Sequence, residues 1–196
     1  MEPQAARRQL IQLLKEKALR RLDAPIQLAS GEWSREFVDG KEALADYENL
    51  ELACRNIVAA VAREGIEFRA VGGLTLGADA LAVGVAAVAR CQWFFVRKEP
   101  KNRGTRKLIE GAPIGPGWRV LLVDDVVTTG GSILKAYAEI VKIGAEVVAA
   151  STLVDRGDVA AEEFRKRGVP YFPMSTYVDL EIPPVGSGTS GVQSPR

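Results

Sequence analysis

The chain has 196 residues, 26% of them charged, and a formal net charge of +1. This length favours one α/β domain over two, and the charge balance excludes a general attraction to nucleic acid or to membrane surfaces. Histidine is absent, which excludes Ser-His-Asp and Cys-His catalysis, histidine-ligated metals and a side chain with an ordinary pKa near 6.5.

The start of the chain shows no signal peptide, because charged residues occur throughout residues 1–20. No apolar run approaches the ~18 residues of a membrane span. Cys54 and Cys91 lie in apolar periodic segments and are expected to be buried, reduced thiols. We therefore expect a cytoplasmic protein.

The first elements in chain order are a predicted helix and a predicted strand pair. Four apolar residues recur at helical spacing within residues 5–22: Leu10, Leu14, Ala18 and Leu22. This spacing predicts an amphipathic helix with Arg and Lys side chains on its opposite face. Residues 26–42 alternate in polarity around Ser30 and Gly31, which is consistent with a hairpin or an exposed pair of strands.

From residue 47 onward, helical patterns and short apolar strands alternate. The predicted helices span residues 47–63, 77–90, 131–143 and 159–167. The predicted strands lie within residues 68–74, 92–98, 119–124, 146–155 and 170–178. This alternation predicts an α/β fold with a mostly parallel twisted sheet that has helices on both faces. In such sheets, ligands bind at the carboxyl ends of the strands.

The stretch VLLVDDVVTTGGS at residues 120–132 joins a predicted strand to a predicted helix. Its glycines, backbone N–H groups and three hydroxyls would surround one point at the helix N-terminus, which is typical of a phosphate site. Asp124 and Asp125 precede this loop, and adjacent carboxylates can accept hydrogen bonds from vicinal hydroxyls or hold the water shell of Mg²⁺. A phosphate site beside a diol site predicts a ribose 5-phosphate ligand.

Two other interpretations of this stretch explain less of it. A simple capped turn accounts for the glycines and Ser132, but not for two adjacent carboxylates whose mutual repulsion requires a cationic or hydroxyl-bearing partner. A Walker B strand would require a G-x-x-x-x-G-K-[ST] motif elsewhere, and the chain has none. The GSGTSG near the C-terminus formally matches a dinucleotide motif, but no predicted strand precedes it and no predicted helix follows it.

All thirteen positions of residues 120–132 match the phosphoribosyl pyrophosphate (PRPP) signature of the type I phosphoribosyltransferases, and the stretch therefore resembles that family. Further segments resemble the orotate phosphoribosyltransferases in the order of that family, covering most of residues 26–160. These segments are LASGEWSREFVDGK (28–41), GGLTLGADALA (72–82), VRKEPKNRG (96–104) and VDRG (154–157). The resemblance implies the type I phosphoribosyltransferase fold with a small N-terminal hood.

The resemblance also implies a domain organisation. A single domain would span residues 1–184, with an N-terminal helix and hood over residues 1–45 and a core over residues 46–184. The polar, Gly- and Ser-rich residues 185–196 are predicted to be a disordered tail.

By this resemblance, the enzyme would transfer ribose 5-phosphate from PRPP to orotate in pyrimidine biosynthesis, giving orotidine 5-monophosphate and pyrophosphate. Asp124 and Asp125 would hold the ribose hydroxyls, with Mg²⁺ carried by PRPP and reached through water rather than bound directly. The 5-phosphate would lie against the loop formed by Val126, Val127, Thr128, Thr129, Gly130, Gly131 and Ser132. The implied pyrophosphate loop consists of Gly73, Leu74 and Thr75, and the implied orotate contacts are Lys41, Thr128 and Arg156.

A basic loop over residues 97–107 resembles the family's mobile catalytic loop. Its implied pyrophosphate contacts are Arg97, Lys98, Lys101 and Arg103, of which Lys98 and Lys101 would act in catalysis together with Asp124 and Asp125. In the family this loop crosses to the neighbouring subunit, which implies a homodimer. Arg103 replaces the usual loop histidine, and an arginine can stabilise charge but cannot shuttle protons.

Alternatives remain for single residues and for the whole chain. The basic loop can be a solvated surface segment, Lys41 can be structural, and Arg156 can form a surface ion pair with Asp155 or Asp158. The rival functions are an enzyme of the same fold with a purine substrate and a nucleic-acid-binding regulator. The order of the loop residues favours orotate over a purine, and the net charge of +1 opposes the regulator.

Overall fold

The computed structural model of the chain describes residues 3–28, 30–100 and 107–186. The helices are α1 (Pro3–Lys17), α2 (Gly40–Ala43), α3 (Tyr47–Arg63), α4 (Asp79–Ala89), α5 (Gly131–Lys142) and α6 (Val159–Lys166). The strands are β1 (Leu19–Gln27), β2 (Trp33–Val38), β3 (Ala70–Leu74), β4 (Gln92–Val96), β5 (Ile109–Gly111), β6 (Arg119–Val127), β7 (Glu146–Asp155) and β8 (Tyr171–Thr176).

Six strands form the central sheet in the order β5-β4-β3-β6-β7-β8. Every neighbouring pair is parallel except β4 and β5. Strands β3, β6 and β7 are buried along almost their whole length, as expected for parallel strands that are covered on both faces. The predicted α/β fold with a mostly parallel sheet is confirmed.

The two faces of the sheet carry separate hydrophobic clusters. One face is covered by α1, α3 and α4, with Leu10, Ile57 and Leu81 fully buried in its cluster. The other is covered by α5 and α6, where Ile140 and Phe164 are fully buried. Strand β6 lies at the middle of this sandwich, so the residues at its carboxyl end are fixed from both sides.

The predicted helix over residues 5–22 is wrong at its C-terminal end. Helix α1 ends at Lys17, and Leu22 belongs to β1, which pairs antiparallel with β2. Leu22 continues the helical spacing of the preceding leucines, but the backbone of this stretch takes its hydrogen bonds from a partner more than ten residues away. A local periodicity does not report such a pairing. The predicted hairpin within residues 26–42 is confirmed, and its first strand begins earlier than expected.

Several boundaries follow from pairing that the sequence pattern did not show. Strand β6 continues past the two carboxylates to Val127, because Val126 and Val127 pair with β7. Strand β5 and helix α2 were not predicted, since both are short. Helices α5 and α6 end before Gly144 and Gly168 as predicted, and both glycines have positive φ angles, +81° and +67°.

The predicted tail begins too early, because Val185 is 4% exposed and its N–H donates a hydrogen bond to the backbone oxygen of Arg156 at 2.7 Å. The remainder of the predicted tail, residues 187–196, lies outside the described residues.

The two cysteines differ in burial. Both are free thiols, and Cys54 is buried as expected, whereas Cys91 is only half-buried. Burial raises the pKa of Cys54 to about 12 and that of Cys91 to about 11. Among the helices in the part of the chain that the structure describes, none is long and apolar enough to cross a membrane.

Phe164 anchors α6, the helix that follows the loop containing Arg156. Its ring stacks on Tyr171 at 5.3 Å and meets Tyr137 edge-on at 6.1 Å. We expect Phe164→Ala to lower the free energy of unfolding by about 3–5 kcal/mol, because it leaves a cavity among packed rings. The matched control is Val141→Ala on α5, 47% exposed, which should change it by less than about 0.5 kcal/mol. Urea denaturation at fixed protein concentration measures both, and equal losses would contradict this packing.

Candidate active site

The two carboxylates of the motif at residues 120–132 lie at the carboxyl end of β6 and are almost completely buried. Asp124 is 4% exposed and Asp125 is 8% exposed. The N–H of Asp125 donates to Asp124 Oδ1 at 3.0 Å, and the N–H of Val126 donates to Asp125 Oδ1 at 2.7 Å. Neighbouring β7 adds the Thr152 hydroxyl, which donates to the backbone oxygens of both aspartates at 3.2 Å. The strand pairing therefore fixes both carboxyl groups.

Asp124 lies in an environment that disfavours its charge. Burial, and then the neighbouring charge of Asp125, raise the pKa of Asp124 to about 8. Its Oδ2 atom is buried and has no hydrogen-bond partner among the residues that the structure describes. A desolvated carboxylate oxygen without a donor is costly, so this atom is a strong acceptor for a ligand hydroxyl or a cation.

Lys41 brings a cation to this pair from α2, which follows β2 within the hood segment. Its Nζ lies 3.3 Å from Asp125 Oδ2 and 3.6 Å from Asp39 Oδ1. Partial burial acts to lower the pKa of Lys41, but the charges of Asp125 and Asp39 outweigh it, so the pKa is raised. The lysine side chain is 54% exposed. It therefore lies between the carboxylates and solvent, where a substrate would enter.

A cavity of about 240 Å³ opens beside Asp124 at the start of α5. Its lining is formed by Ser30, Asp124 and the loop residues Val126, Val127, Thr128, Thr129, Gly130, Gly131 and Ser132. Gly130 has a φ of +82°, and no side chain caps the N-terminus of α5. The first-turn N–H groups of a helix lack intrahelical partners and favour an anion. The predicted phosphate loop and Asp124, one of the two carboxylates, thus line one cavity.

The predicted pyrophosphate loop lies beside β6, and the residues that follow it approach the two carboxylates. Gly73 is at the carboxyl end of β3, where an added Cβ would meet Val123 O of β6 at 2.1 Å. Beyond Leu74 and Thr75, Gly77 approaches so closely that a Cβ there would lie 2.3 Å from Asp125 Oδ1. Sequence reasoning did not name Gly77 as a site residue. A glycine in a loop often marks a place where the backbone comes close to another group, so its position could have indicated this approach.

Arg156 points into the protein rather than to the surface. It is 1% exposed, and its guanidinium donates from Nη1 to Glu36 O at 2.8 Å and from Nη2 to Ser34 Oγ at 3.2 Å. Its Nε is buried without a partner in the described ranges. The surface ion pair with Asp155 or Asp158 is therefore wrong, because the side chain crosses from β7 to the hood.

The ends of the basic loop are anchored to the sheet and to α5. Arg97 forms an ion pair with Glu110 at 3.1 Å, and the backbone oxygen of Lys98 accepts a hydrogen bond from Lys135 Nζ at 2.7 Å. Lys101 and Arg103 lie outside the described residues. Sequence reasoning missed Lys135, which is one helical turn beyond Ser132 on α5.

The model of the phosphoribosyl transferase domain family matches residues 40–174, more than half of the chain. The orotate phosphoribosyltransferase of Aquifex aeolicus is 38% identical over 180 residues, which are 89% of this chain and 97% of that protein. The orotate phosphoribosyltransferase of Pyrococcus abyssi is 39% identical over 153 residues, 78% of this chain and 84% of that protein.

The chain belongs to the orotate phosphoribosyltransferase family.

Solved structures agree with this membership. The orotate phosphoribosyltransferase of Mycobacterium tuberculosis H37Rv in complex with PRPP has a TM-score of 0.74 at 33% identity, covering 90% of this chain and 99% of that one. Adenine phosphoribosyltransferase from Leishmania donovani has a TM-score of 0.65 at 19% identity, which shows a shared fold alone. The predicted membership of the orotate phosphoribosyltransferases is confirmed.

This family member lacks histidine, yet two buried carboxyl groups titrate in the range where histidine would. Besides Asp124, burial raises the pKa of Asp155 to about 6. A carboxyl with a raised pKa holds its proton more tightly in the folded than in the unfolded state. Stability should therefore fall as pH rises from about 4, through the ionisation of Asp155 near 6 and of Asp124 near 8.

We expect the free energy of unfolding to fall between pH 6 and 8 by up to about 1.4 kcal/mol per pH unit, mainly through Asp124. Asp124→Asn should remove most of this slope because an amide does not titrate. Urea denaturation of both proteins at several pH values measures it. Below pH 6 both carboxyl groups contribute, so the variant should keep there only the part of the slope that Asp155 contributes, which serves as the internal control. An unchanged slope above pH 6 in the variant would contradict the assignment.

Proposed function

We propose that this site binds PRPP with Mg²⁺ and transfers its ribose 5-phosphate to orotate, releasing pyrophosphate and forming orotidine 5-monophosphate. The observation that carries the proposal is that buried Asp124, the neighbour of Asp125, lines one cavity with an open, anion-favouring loop. A phosphate in the loop would place an attached ribose toward Asp124 and Asp125. This arrangement suits a phosphorylated sugar with free vicinal hydroxyls.

The carboxylates fit a magnesium ion that arrives with PRPP. Mg²⁺ prefers oxygen ligands. Asp124 Oδ2 is a buried oxygen that has no hydrogen-bond partner among the described residues, so a cation or a hydroxyl group would satisfy it. Asp124 and Asp125 would hold the ion through its water shell. When bound, the ion neutralises charge on the leaving pyrophosphate.

The leaving pyrophosphate would be stabilised by cations and by backbone groups rather than by a proton donor. Transfer at an anomeric carbon through an oxocarbenium-like state depends on electrostatic stabilisation of the leaving group. Gly73, Leu74 and Thr75 would contact it from one side. Four cations of residues 97–107 would contact it from the other: Arg97, Lys98, Lys101 and Arg103. Excluding water at this step protects PRPP from hydrolysis.

Arg156 is the proposed partner of the orotate carboxylate, together with Lys41 and Thr128 near the ring. A guanidinium has five N–H donors, and the hood takes two of them here. The buried Nε has no acceptor among the described residues, so a substrate carboxylate that reached it would complete its hydrogen bonding. The bonds to Glu36 and Ser34 would hold the guanidinium in place before substrate arrives.

We also propose a homodimer in the cytoplasm. The family resemblance supports a loop over residues 97–107 that is shared between subunits. Two apolar side chains beside the pyrophosphate loop are exposed, Leu76 at 68% and Val83 at 45%, and a partner subunit would cover them. The two free thiols agree with a reducing compartment.

The direct test follows the loss of orotate absorbance with PRPP and Mg²⁺, beside parallel reactions with adenine, hypoxanthine and uracil. Of these four bases, we expect only orotate to react with PRPP. Asp124→Asn combined with Asp125→Asn should keep the fold but lose PRPP affinity in calorimetry, because amides lack the charge for Mg²⁺ and accept fewer hydroxyl hydrogen bonds. Turnover of a purine instead of orotate, or wild-type PRPP binding in the double variant, would overturn the proposal.

Arg156→Ala should lower kcat/KM for orotate by a factor that corresponds to a loss of roughly 2–5 kcal/mol of transition-state stabilisation. The KM for PRPP should change far less. The control is Arg156→Lys, which keeps the charge but not the planar fork and should fall between wild type and Arg156→Ala. Initial rates with each substrate varied in turn measure these constants. Equal effects on the two substrates would instead identify a structural arginine.

The shared loop is tested by mixing two inactive variants. Lys101→Ala would remove a cation from the partner's site, and Asp124→Asn plus Asp125→Asn would disable PRPP binding in its own subunit. Mixed and re-associated, half the dimers carry one intact site, so activity should return to about a quarter of wild type. No recovery after verified subunit exchange would show that Lys101 does not act across the dimer.

A further inference from the structure

The last described residues of the chain return to the active site instead of leaving the domain. After β8, residues 182–186 form a segment that we name the C-terminal strap. Ile182 is 6% exposed and Val185 is 4% exposed, so the strap is packed and not a free end. The N–H of Val185 donates to the backbone oxygen of Arg156 at 2.7 Å. The strap therefore binds the residue proposed to hold orotate.

Gly157 allows the strap to approach this closely. A Cβ on Gly157 would lie 2.1 Å from Val185 O, which is far inside contact distance. Because that oxygen belongs to the backbone, no side-chain rotation can relieve the clash. The strap and the residue after Arg156 thus fit together only while position 157 has no side chain.

The strap also reaches the hood and the phosphate loop. The N–H of Gly186 donates to Glu32 Oε2 at 3.1 Å, which joins residues 154 positions apart in the chain. A Cβ on Gly186 would lie 3.6 Å from Thr129 Cγ2 of the phosphate loop. The five residues of the strap therefore lie against three parts of the site: the Arg156 backbone, the hood and the phosphate loop.

The electrostatics explain why the position of Glu32 matters. Burial lowers the pKa of Arg156, and the charges of Glu36 and Glu32 act against this burial, so both carboxylates are close enough to influence the guanidinium. The hydrogen bond from the Gly186 N–H is one of the contacts that fix the Glu32 carboxylate relative to this guanidinium, and through it the strap is tied to the hood.

We propose that the C-terminal strap is a positioning element for the orotate end of the site. It holds the Arg156 backbone and the Glu32 carboxylate in fixed relation, so that the guanidinium stays available to a substrate carboxylate. The backbone of Arg156 is then fixed from two sides, since its N–H donates to Val127 O at 2.8 Å and its oxygen accepts from the strap. This inference rests on the proposed function, because it takes Arg156 as the orotate partner.

Two truncations test the strap. Removing residues 185–196 takes away both strap hydrogen bonds, whereas removing residues 187–196 leaves every described contact intact. Loss of the longer segment should raise KM for orotate about tenfold, with a smaller change in KM for PRPP and in kcat. The shorter deletion should match the full chain. Equal behaviour of the two truncations would overturn the proposal.

A double-variant cycle in the full chain separates positioning from a general loss of stability. Gly157→Ala should displace the strap and raise KM for orotate as the longer truncation does. Combined with that truncation it should add little, since the truncation removes Val185 O, the atom 2.1 Å from the new Cβ, and leaves Thr128 O at 3.3 Å. Gly115→Ala is the matched control, because the nearest atom to its Cβ is 4.0 Å away. Additive effects would overturn the proposal.

Glu32 supplies a test that leaves the strap sequence unchanged. Glu32→Ala should raise KM for orotate, because the strap loses its acceptor, whereas Glu32→Gln keeps an acceptor oxygen and should largely restore it. Thermal unfolding of all variants is followed in parallel. Equal rises in KM for both substrates that track lost stability would contradict positioning. An inactive full chain would overturn the proposed function and this inference together, whereas an active one with unaffected variants overturns the strap alone.

Discussion

The burial of two adjacent carboxyl groups at the end of one central strand is the constraint on which the rest of the site depends. Asp124 and Asp125 are held there by the pairing of β6 with β3 and β7, and the sheet leaves them little solvent. Two negative charges in this position repel each other and are poorly hydrated. The ion pair of Lys41 with Asp125 offsets part of this cost, and the remaining cost is expressed in the pKa of Asp124, which burial and the charge of Asp125 raise to about 8.

The elements around the pair complete what the carboxylates lack. The start of α5 provides N–H groups for an anion, Gly77 after the pyrophosphate loop approaches the carboxylates, and α2 of the hood segment supplies Lys41. Arg156 spans the gap between β7 and the hood, and the C-terminal strap holds its backbone. The site is therefore assembled from segments far apart in the chain, each fixed by contacts other than those to substrate.

The sequence predicted what local periodicity and motif chemistry determine. The helix over residues 47–63 and the strand over residues 146–155 match the structure at both ends, and the motif at residues 120–132 located the cavity. It failed at Leu22, where a long-range strand pairing overrides helical spacing, and at Val185, whose order comes from tertiary contacts. The burial of Arg156 could not be predicted either, because it depends on where the hood folds back.

The carboxylate pair at the end of β6 is proposed to receive PRPP with Mg²⁺, and because burial raises the pKa of Asp124 to about 8, this binding should release a proton from that carboxyl group. Infrared difference spectroscopy at pH 7, recorded before and after adding PRPP and Mg²⁺, observes the protonated carboxyl group directly. The account predicts that a protonated-carboxyl band disappears on binding, and that the ligand-free Asp124→Asn variant lacks this band from the outset. A wild-type band that survives saturation with PRPP, or one that persists in the variant, would contradict it.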